Sequence, residues 1–328
     1  MNIRTIATTG LTCALFSGLP AGADEVRFDL ANEYSPTSLV ASMDQDFIDT
    51  VAEKSGDTIV ITPHFGGSLG FKSKDHFDLV GDGVLPIAGT YTGAFVGIDR
   101  MFALSSMPFL APDVDGAKRL YEIAKPYYEE IFEQNGQKLL YASPYTPVGI
   151  WAGKALSSKE DLKDLKIRTY DAASNEVFQV IGAAPIQTSW SDVVPLLGTG
   201  GIDAVLTSDE SGVTSNFWDY LSHFNALPYS IAINMTHMNA DSFDALSPEQ
   251  QAAIEEAAAL VQERNWKRVE ERVARNLDIM AEHGIAVVAP DPELVKDLSL
   301  ASETVLTNWL ADTGDDGKAI VSAFRGGS

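Results

Sequence analysis

Ser157–Asn175 reads SSKEDLKDLKIRTYDAASN. Ser157 followed by Glu160 has the spacing of a capping box, so a short polar helix is predicted to start there. A turn follows, then a hydrophobic β-strand carrying Leu165 and Ile167. A second helix opens at Asp171-Ala172-Ala173-Ser174. Arg168 therefore falls where a strand ends and a helix begins, the sheet edge at which α/β proteins bind ligands. Its guanidinium is a planar fork of donors that grips a carboxylate through two parallel hydrogen bonds. The competing reading is a surface arginine paired with one of the chain's many acids.

The flanking sequence supports an α/β fold. Val26–Ala31 alternates as a strand. Leu39, Val40, Met43, Phe47, Ile48 and Val51 recur at helical spacing, Gly56-Asp57 closes that helix, and Thr58–Pro63 is rich in β-branched residues. An opening βαβ unit implies a parallel sheet. Val84–Thr90 reads as a third strand, with Tyr91 and Thr92 at its end. A helix is predicted over Val114–Gln134 and a strand from Lys138 to Tyr141. Pro144 and Pro147 then mark a first crossing between domains, continued by Gly149-Ile150-Trp151. Ala183–Ile186 is a short strand, and Trp190-Ser191-Asp192 leads a helix to Leu197. Ile202–Leu206 is a strand ending in Thr207-Ser208. Tyr229–Met235 alternates as a strand crossing back. Ser247-Pro248-Glu249-Gln250 is a strong helix start, and no glycine or proline interrupts the chain from there to about Glu282. Such a helix is on the order of 50 Å long, more than one domain needs, and suits a bridge between two. Ile285–Val288 is the last strand.

Composition narrows the function. The 328 residues suffice for two domains, and the net charge of −23 argues against a nucleic-acid binder, which would need a basic surface. An anionic ligand would be repelled at long range, so a site for one must be locally basic. Arg4, the apolar Ile6–Leu19 and Ala21-Gly22-Ala23 compose a secretory signal, with cleavage expected after Ala23 and a periplasmic destination. The single cysteine, Cys13, leaves with it. The five histidines have no metal-ligand spacing, no phosphate loop is in context, and no cofactor is expected. Gly66-x-Ser68-x-Gly70 is formally a nucleophile elbow, so a secreted hydrolase built on Ser68 is the alternative, but no partner histidine stands in a recognisable setting. The predicted strand ends instead carry Glu33 and Tyr34, Tyr91 and Thr92, Arg168 and Asp171, and Thr207 and Ser208. With Trp190 and Trp151 as aromatic walls, these compose a pocket for a small organic acid. Phe217 and Trp218 are assigned to the core.

The mature chain resembles the periplasmic solute-binding subunits of TRAP (tripartite ATP-independent periplasmic) transporters of the DctP type. The resemblance rests on Gly67-Ser68-Leu69-Gly70, Met107-Pro108-Phe109-Leu110, the run Glu160–Arg168, Gly182-Ala183-x-Pro185, Trp190-Ser191-Asp192-Val193 and Gly201-Ile202-Asp203. It implies a two-lobed periplasmic binding protein fold with crossing strands and one long helix bridging both lobes. After a signal peptide over 1–23, lobe I would comprise 24–145 plus 235–272, and lobe II 146–234 plus 273–328. It also implies that Arg168 holds the ligand carboxylate, that Trp190 is the pocket aromatic and that Asp171 falls on a pocket position. The implied partners are membrane subunits driven by an ion gradient, with no enzymatic step and no nucleotide site. A ligand-binding sensor subunit shares these features. Two departures matter. Thr207 stands where the family often has asparagine, and the second arginine of some sialic-acid binders falls near Val148. A smaller or more apolar carboxylate is expected instead.

Overall fold

The computed structural model describes residues 25–327. The expected signal and its cleavage point after Ala23 lie outside the described residues. Among the described residues, eleven strands form two sheets. They are β1 (Val26–Asn32), β2 (Ile59–His64), β3 (Ile87–Tyr91), β4 (Gln137–Pro144), β5 (Val148–Ala152), β6 (Lys166–Thr169), β7 (Ala184–Gln187), β8 (Ala204–Ser208), β9 (His223–Ala226), β10 (Ile233–Asn239) and β11 (Ala286–Val288). The first sheet has the order β2-β1-β3-β10-β4, the second β11-β9-β5-β8-β6-β7. β1 runs parallel to β2 and β3, as the opening βαβ unit requires, and β10 inserts antiparallel between β3 and β4.

The chain changes sheets where the sequence loses its ladder donors. β4 ends at Pro144 and β5 begins at Val148 in the other sheet, with Pro147 between them. The return departs from expectation. Tyr229–Met235 is not one strand: 227–232 cross between the sheets, and β10 starts only at Ile233. There the backbone bonds to the other crossing, Tyr145 N–H to the Ala232 carbonyl at 2.9 Å and Val148 N–H to that of Ser230 at 3.2 Å. β3 also starts later than predicted, at Ile87, because Pro86 has no N–H for the ladder.

The third link is the helix Pro248–Glu282, 35 residues long. Ser247 caps it, its hydroxyl accepting the Gln250 N–H while the Gln250 side chain returns to the Ser247 N–H. It packs first on the helix Leu39–Ser55 and β4, then on the helix Asp209–Thr214 and β11, and so spans both halves. Its apolar side enters the first core, where Ile254, Ala257 and Val261 meet Phe47, Val51 and Tyr141. Farther along, Met280 joins a second core with Trp151, Val205, Phe217 and Phe224.

Asp209 and Glu210 fasten these links together directly after β8. Asp209 accepts the hydroxyl of Thr146, in the first crossing, and the Asn276 amide of the long helix at 3.0 Å. Glu210 accepts Arg272 from the same helix and the Leu39 N–H of the first half at 2.8 Å. The last helical segment, Pro292–Gly326, two helices joined at a kink where Gly314 takes φ 63°, packs on Ala172–Val180 of the second half and on Val114–Gln134 of the first. The short helix that begins the Ser157 stretch is capped one residue later than expected. Ser158 is its N-cap, and Asp161, not Glu160, accepts the N–H groups of Ser157 and Ser158.

Candidate ligand-binding site

A cavity of about 510 Å³ lies between the two halves. Its walls are strand ends and the segments just beyond them. The first half gives Glu33 and Tyr34 after β1, Tyr91 closing β3, and Tyr145. The second gives Arg168 and Tyr170 around the end of β6, Gln187 through Trp190 at the end of β7, and Thr207 and Ser208 closing β8. Strand ends collect there because the strands of each sheet deliver their chains to one edge.

Arg168 is 5 % exposed. Its Nε and one terminal nitrogen donate to the Thr188 carbonyl at 3.3 and 3.1 Å, and the other reaches the Leu206 carbonyl at 3.4 Å. Trp190 and Tyr170 lie 5.5 and 6.0 Å from the guanidinium carbon, within cation–π range. Burial lowers the pKa of the guanidinium from its ordinary value, yet arginine stays charged in proteins. Among the described residues no carboxylate is in ion-pair contact with Arg168. A buried cation held only by neutral carbonyls lacks a counter-charge, and an incoming carboxylate provides one.

Aromatic rings close around this point. Tyr34 meets Tyr145 at 5.5 Å and Trp190 at 6.1 Å, while Tyr91 meets Tyr145 at 6.2 Å and Tyr170 at 5.7 Å. Burial raises the Tyr34 hydroxyl to about 12 and that of Tyr91 well above its usual value. All are neutral hydrogen-bonding groups at physiological pH. Lys74 and Arg100 also line the cavity. Arg100 is paired with Asp312 at 3.6 Å, so Arg168 and Lys74 are the cations set against Glu33 that make the site locally basic, as a chain of net charge −23 requires for an anion.

Of the expected site residues, Glu33, Tyr34, Tyr91, Arg168, Trp190, Thr207 and Ser208 line the cavity. Three do not. Trp151 is fully buried, packed between Phe217 and Phe224 at 5.6 and 5.1 Å. It touches the site only indirectly, its indole N–H donating to the Ser208 carbonyl at 3.1 Å. Its ring lies in the second core because β5 is covered there by the helix containing Gly212, where a β-carbon would fall 2.2 Å from the indole. Thr92 is fully buried and bonds to Ser105 at 2.8 Å. Asp171 stands behind the wall: it caps the helix Ala172–Val180 and accepts the hydroxyls of Tyr91 at 2.9 Å and Ser106 at 2.6 Å. It therefore orients Tyr91 across the two halves. Tyr145, Tyr170, Gln187 and Thr188 are among the wall residues that were not anticipated. Tyr170 sits two residues after Arg168 at the same strand end, and that position was its available signal.

Ser68 lies exposed in the turn after β2, away from a catalytic constellation. His64 pairs with Asp29 at 2.7 Å and His76 with Thr90 at 2.8 Å. Among the described residues no histidine is hydrogen-bonded to Ser68.

Residues 30–312 match the sequence profile of DctP, the bacterial extracellular solute-binding protein family 7. The chain is similar to DctP6 of Bordetella pertussis, an extracytoplasmic solute receptor whose structure binds pyroglutamic acid. That likeness has 29 % identity and a TM-score of 0.88, covering 92 % of this chain and 99 % of that one. DctP7 of the same organism, also binding pyroglutamic acid, matches at 26 % identity and a TM-score of 0.89, covering 92 % and 99 %. The ectoine-binding periplasmic protein TeaA of Halomonas elongata is 22 % identical across 99 % of this chain and 96 % of its own length. With its two sheets, three interdomain links and interlobe cavity, the chain belongs to the DctP family of bacterial extracellular solute-binding proteins, the solute receptors of TRAP-type transport.

Proposed function

We propose that this protein captures a small organic carboxylate in the periplasm and hands it to TRAP membrane subunits, with Arg168 as the carboxylate anchor. The observation that carries the reading is the buried guanidinium on the cavity wall with no carboxylate partner. A ligand carboxylate there replaces a missing counter-charge and forms charge-assisted hydrogen bonds. Trp190, Tyr34, Tyr91 and Tyr170 pack the body of the ligand, and Thr207 and Ser208 meet its polar substituents. Because the wall comes from both halves, ligand binding favours the closed arrangement by its differential affinity for that state. The ligands of similar chains, pyroglutamate and ectoine, are small cyclic carboxylates and head the list to be tried. The chain acts by binding, and Asp171 supports the pocket rather than touching the ligand.

The test is a thermal-shift and calorimetric screen of residues 24–328 against small carboxylic acids, beside Arg168→Ala. Ligand at 100 times its dissociation constant adds about 2.7 kcal/mol of stability, which raises the melting point by several degrees. Binding is expected to weaken at least ~100-fold in Arg168→Ala, on the order of 3 kcal/mol for a lost charge-assisted pair. Binding undiminished in that variant overturns the assignment.

A further inference from the structure

Tyr34 enters the cavity wall from the first half, and the backbone that carries it is held from two sides. On the inner side stands Asp44, fully buried on the helix Leu39–Ser55. A carboxylate only accepts hydrogen bonds, and one of its oxygens takes the Asn32 side-chain N–H at 2.7 Å. That contact fixes which way the Asn32 amide faces. Its oxygen is turned to the Tyr34 backbone N–H, which it accepts at 2.8 Å. On the outer side, the glycine turn after β2 closes on the same residues. Gly66 N–H donates to the Tyr34 carbonyl at 2.7 Å, and Gly67 N–H to that of Asn32 at 3.2 Å. Both glycines sit at positive φ, 68° and 65°, where other residues are strained. The glycines that suggested a nucleophile elbow thus clamp a strand end.

A fully buried carboxylate without a cation is costly to a core that could be apolar there. Among the described residues no cation pairs with Asp44; Arg264 and Arg268 of the long helix go to Asp46 instead. Space for the acid is kept by Gly89 of β3, where a β-carbon would fall 2.5 Å from the Asp44 oxygen and 3.1 Å from the Asn32 nitrogen. What the acid supplies in return is direction: it orients Asn32, and Asn32 holds Tyr34. Resting on the reading of the cavity as the ligand site, we infer that Asp44 and Asn32 are positioning residues for binding. They hold the Tyr34 ring, 5.5 Å from Tyr145 and 6.1 Å from Trp190, where it meets the ligand. Asp44 acts through Asn32 and touches no ligand.

The experiment compares Asp44→Leu, which keeps the branched shape and removes the acceptor, with Asp44→Asn, whose amide oxygen replaces it. Asn32→Ala cuts the same relay at its other end and stands in should Asp44→Leu not fold. Thr236→Val removes a different donor to Asp44, at 3.0 Å, and controls for lost core stability. The first readout uses no ligand: exchange of the Tyr34 amide proton in chain carrying isotope-labelled tyrosine, its signal assigned with Tyr34→Phe. Exchange is expected to quicken about tenfold or more in Asp44→Leu and Asn32→Ala, to be restored to within about threefold of wild type in Asp44→Asn, and to stay there in Thr236→Val. The second readout is calorimetry with pyroglutamate. Asp44→Leu weakens binding about tenfold, the factor of one hydrogen bond. Asp44→Asn recovers most of it, and Asp44→Leu adds no further loss when Tyr34→Ala is already present. Unchanged Tyr34 exchange in Asp44→Leu and Asn32→Ala overturns the inference. So does a loss of binding as large in Thr236→Val, or one that persists beside Tyr34→Ala. If pyroglutamate does not bind, the exchange measurement decides alone. Arg168→Ala is titrated in parallel: binding unaffected there removes the carboxylate anchor, while the Asp44–Asn32–Tyr34 relay stands or falls on its own readouts.

Discussion

Arg168 and Asp44 are both sealed from water, but their surroundings differ. Asp44 is fully buried and accepts only neutral donors: the Tyr141 and Thr236 hydroxyls at 2.7 and 3.0 Å and the Asn32 amide at 2.7 Å. Burial raises its pKa from 3.8 to about 6, and these three donors offset only part of the effect. A carboxyl raised on folding contributes stability that is fully present below its unfolded value and lost as pH rises through its folded value. Asp44→Asn removes that dependence. The stability of the wild type relative to the variant is therefore expected to fall by on the order of 3 kcal/mol between pH 4 and pH 7, measured by urea unfolding across that range. A flat difference would place the titration elsewhere. His237 has the opposite sign. Burial lowers it to about 3, so its contribution is present above pH 6.5 and lost as pH falls towards 3. Trp151 marks the limit of residue-level reading. Its place in a strand next to the pocket was legible, but which face of β5 the ring takes depends on Phe217, Phe224 and Gly212, which reach it from elements far along the chain.

At the scale of elements, local signals placed most of the architecture. Ser247-Pro248 gave the start of the long helix, and the helix predicted over Val114–Gln134 has those bounds. What escaped were connections governed by tertiary pairing. Residues 229–235 alternate as one strand would, yet up to 232 their partners are the residues of another crossing rather than a sheet neighbour. Arg168 and Trp190 could be placed at strand ends because strand, turn and helix signals are contiguous there. Tyr145 sits between Pro144 and Pro147 and enters the wall only because two crossings run side by side. The Asp209–Glu210 fastening yields a prediction of its own. The Glu210 side chain is 2 % exposed, and Arg272, 18 % exposed, is its charged partner at 2.5 Å. Arg272→Ala leaves that carboxylate buried and unpaired, at a cost on the order of 3 kcal/mol. The double variant Glu210→Gln with Arg272→Met is expected to recover part of it in denaturant melts; equal losses would show that the pair itself matters little.

At the scale of the whole molecule, contacts across the cleft reinforce the ligand. Lys72 and Asp192 pair at 3.0 Å between the halves, beside the Glu33–Ser191 bond. Both side chains are largely in water, with 38 % and 47 % exposure, so the pair contributes little and is screened by salt. Lys72→Ala is expected to raise the ligand's dissociation rate no more than about fivefold at low ionic strength. The difference should vanish near 1 M salt in stopped-flow measurements. A salt-independent change would mean that Lys72 acts through packing.

The position of β10 also constrains the order in which the molecule can be made. Residues 233–239 fill the gap between β3 and β4, strands completed by residues 91 and 144. A chain emerging from its N-terminus holds two unpaired strand edges open while nearly a hundred further residues are added. Such edges invite pairing with other chains, and pairing between distant residues slows folding. The first half is thus completed only after most of the second exists. A fragment ending at residue 232 should lack cooperative unfolding and aggregate, whereas one ending at 282 restores the missing strand and the helix laid across it.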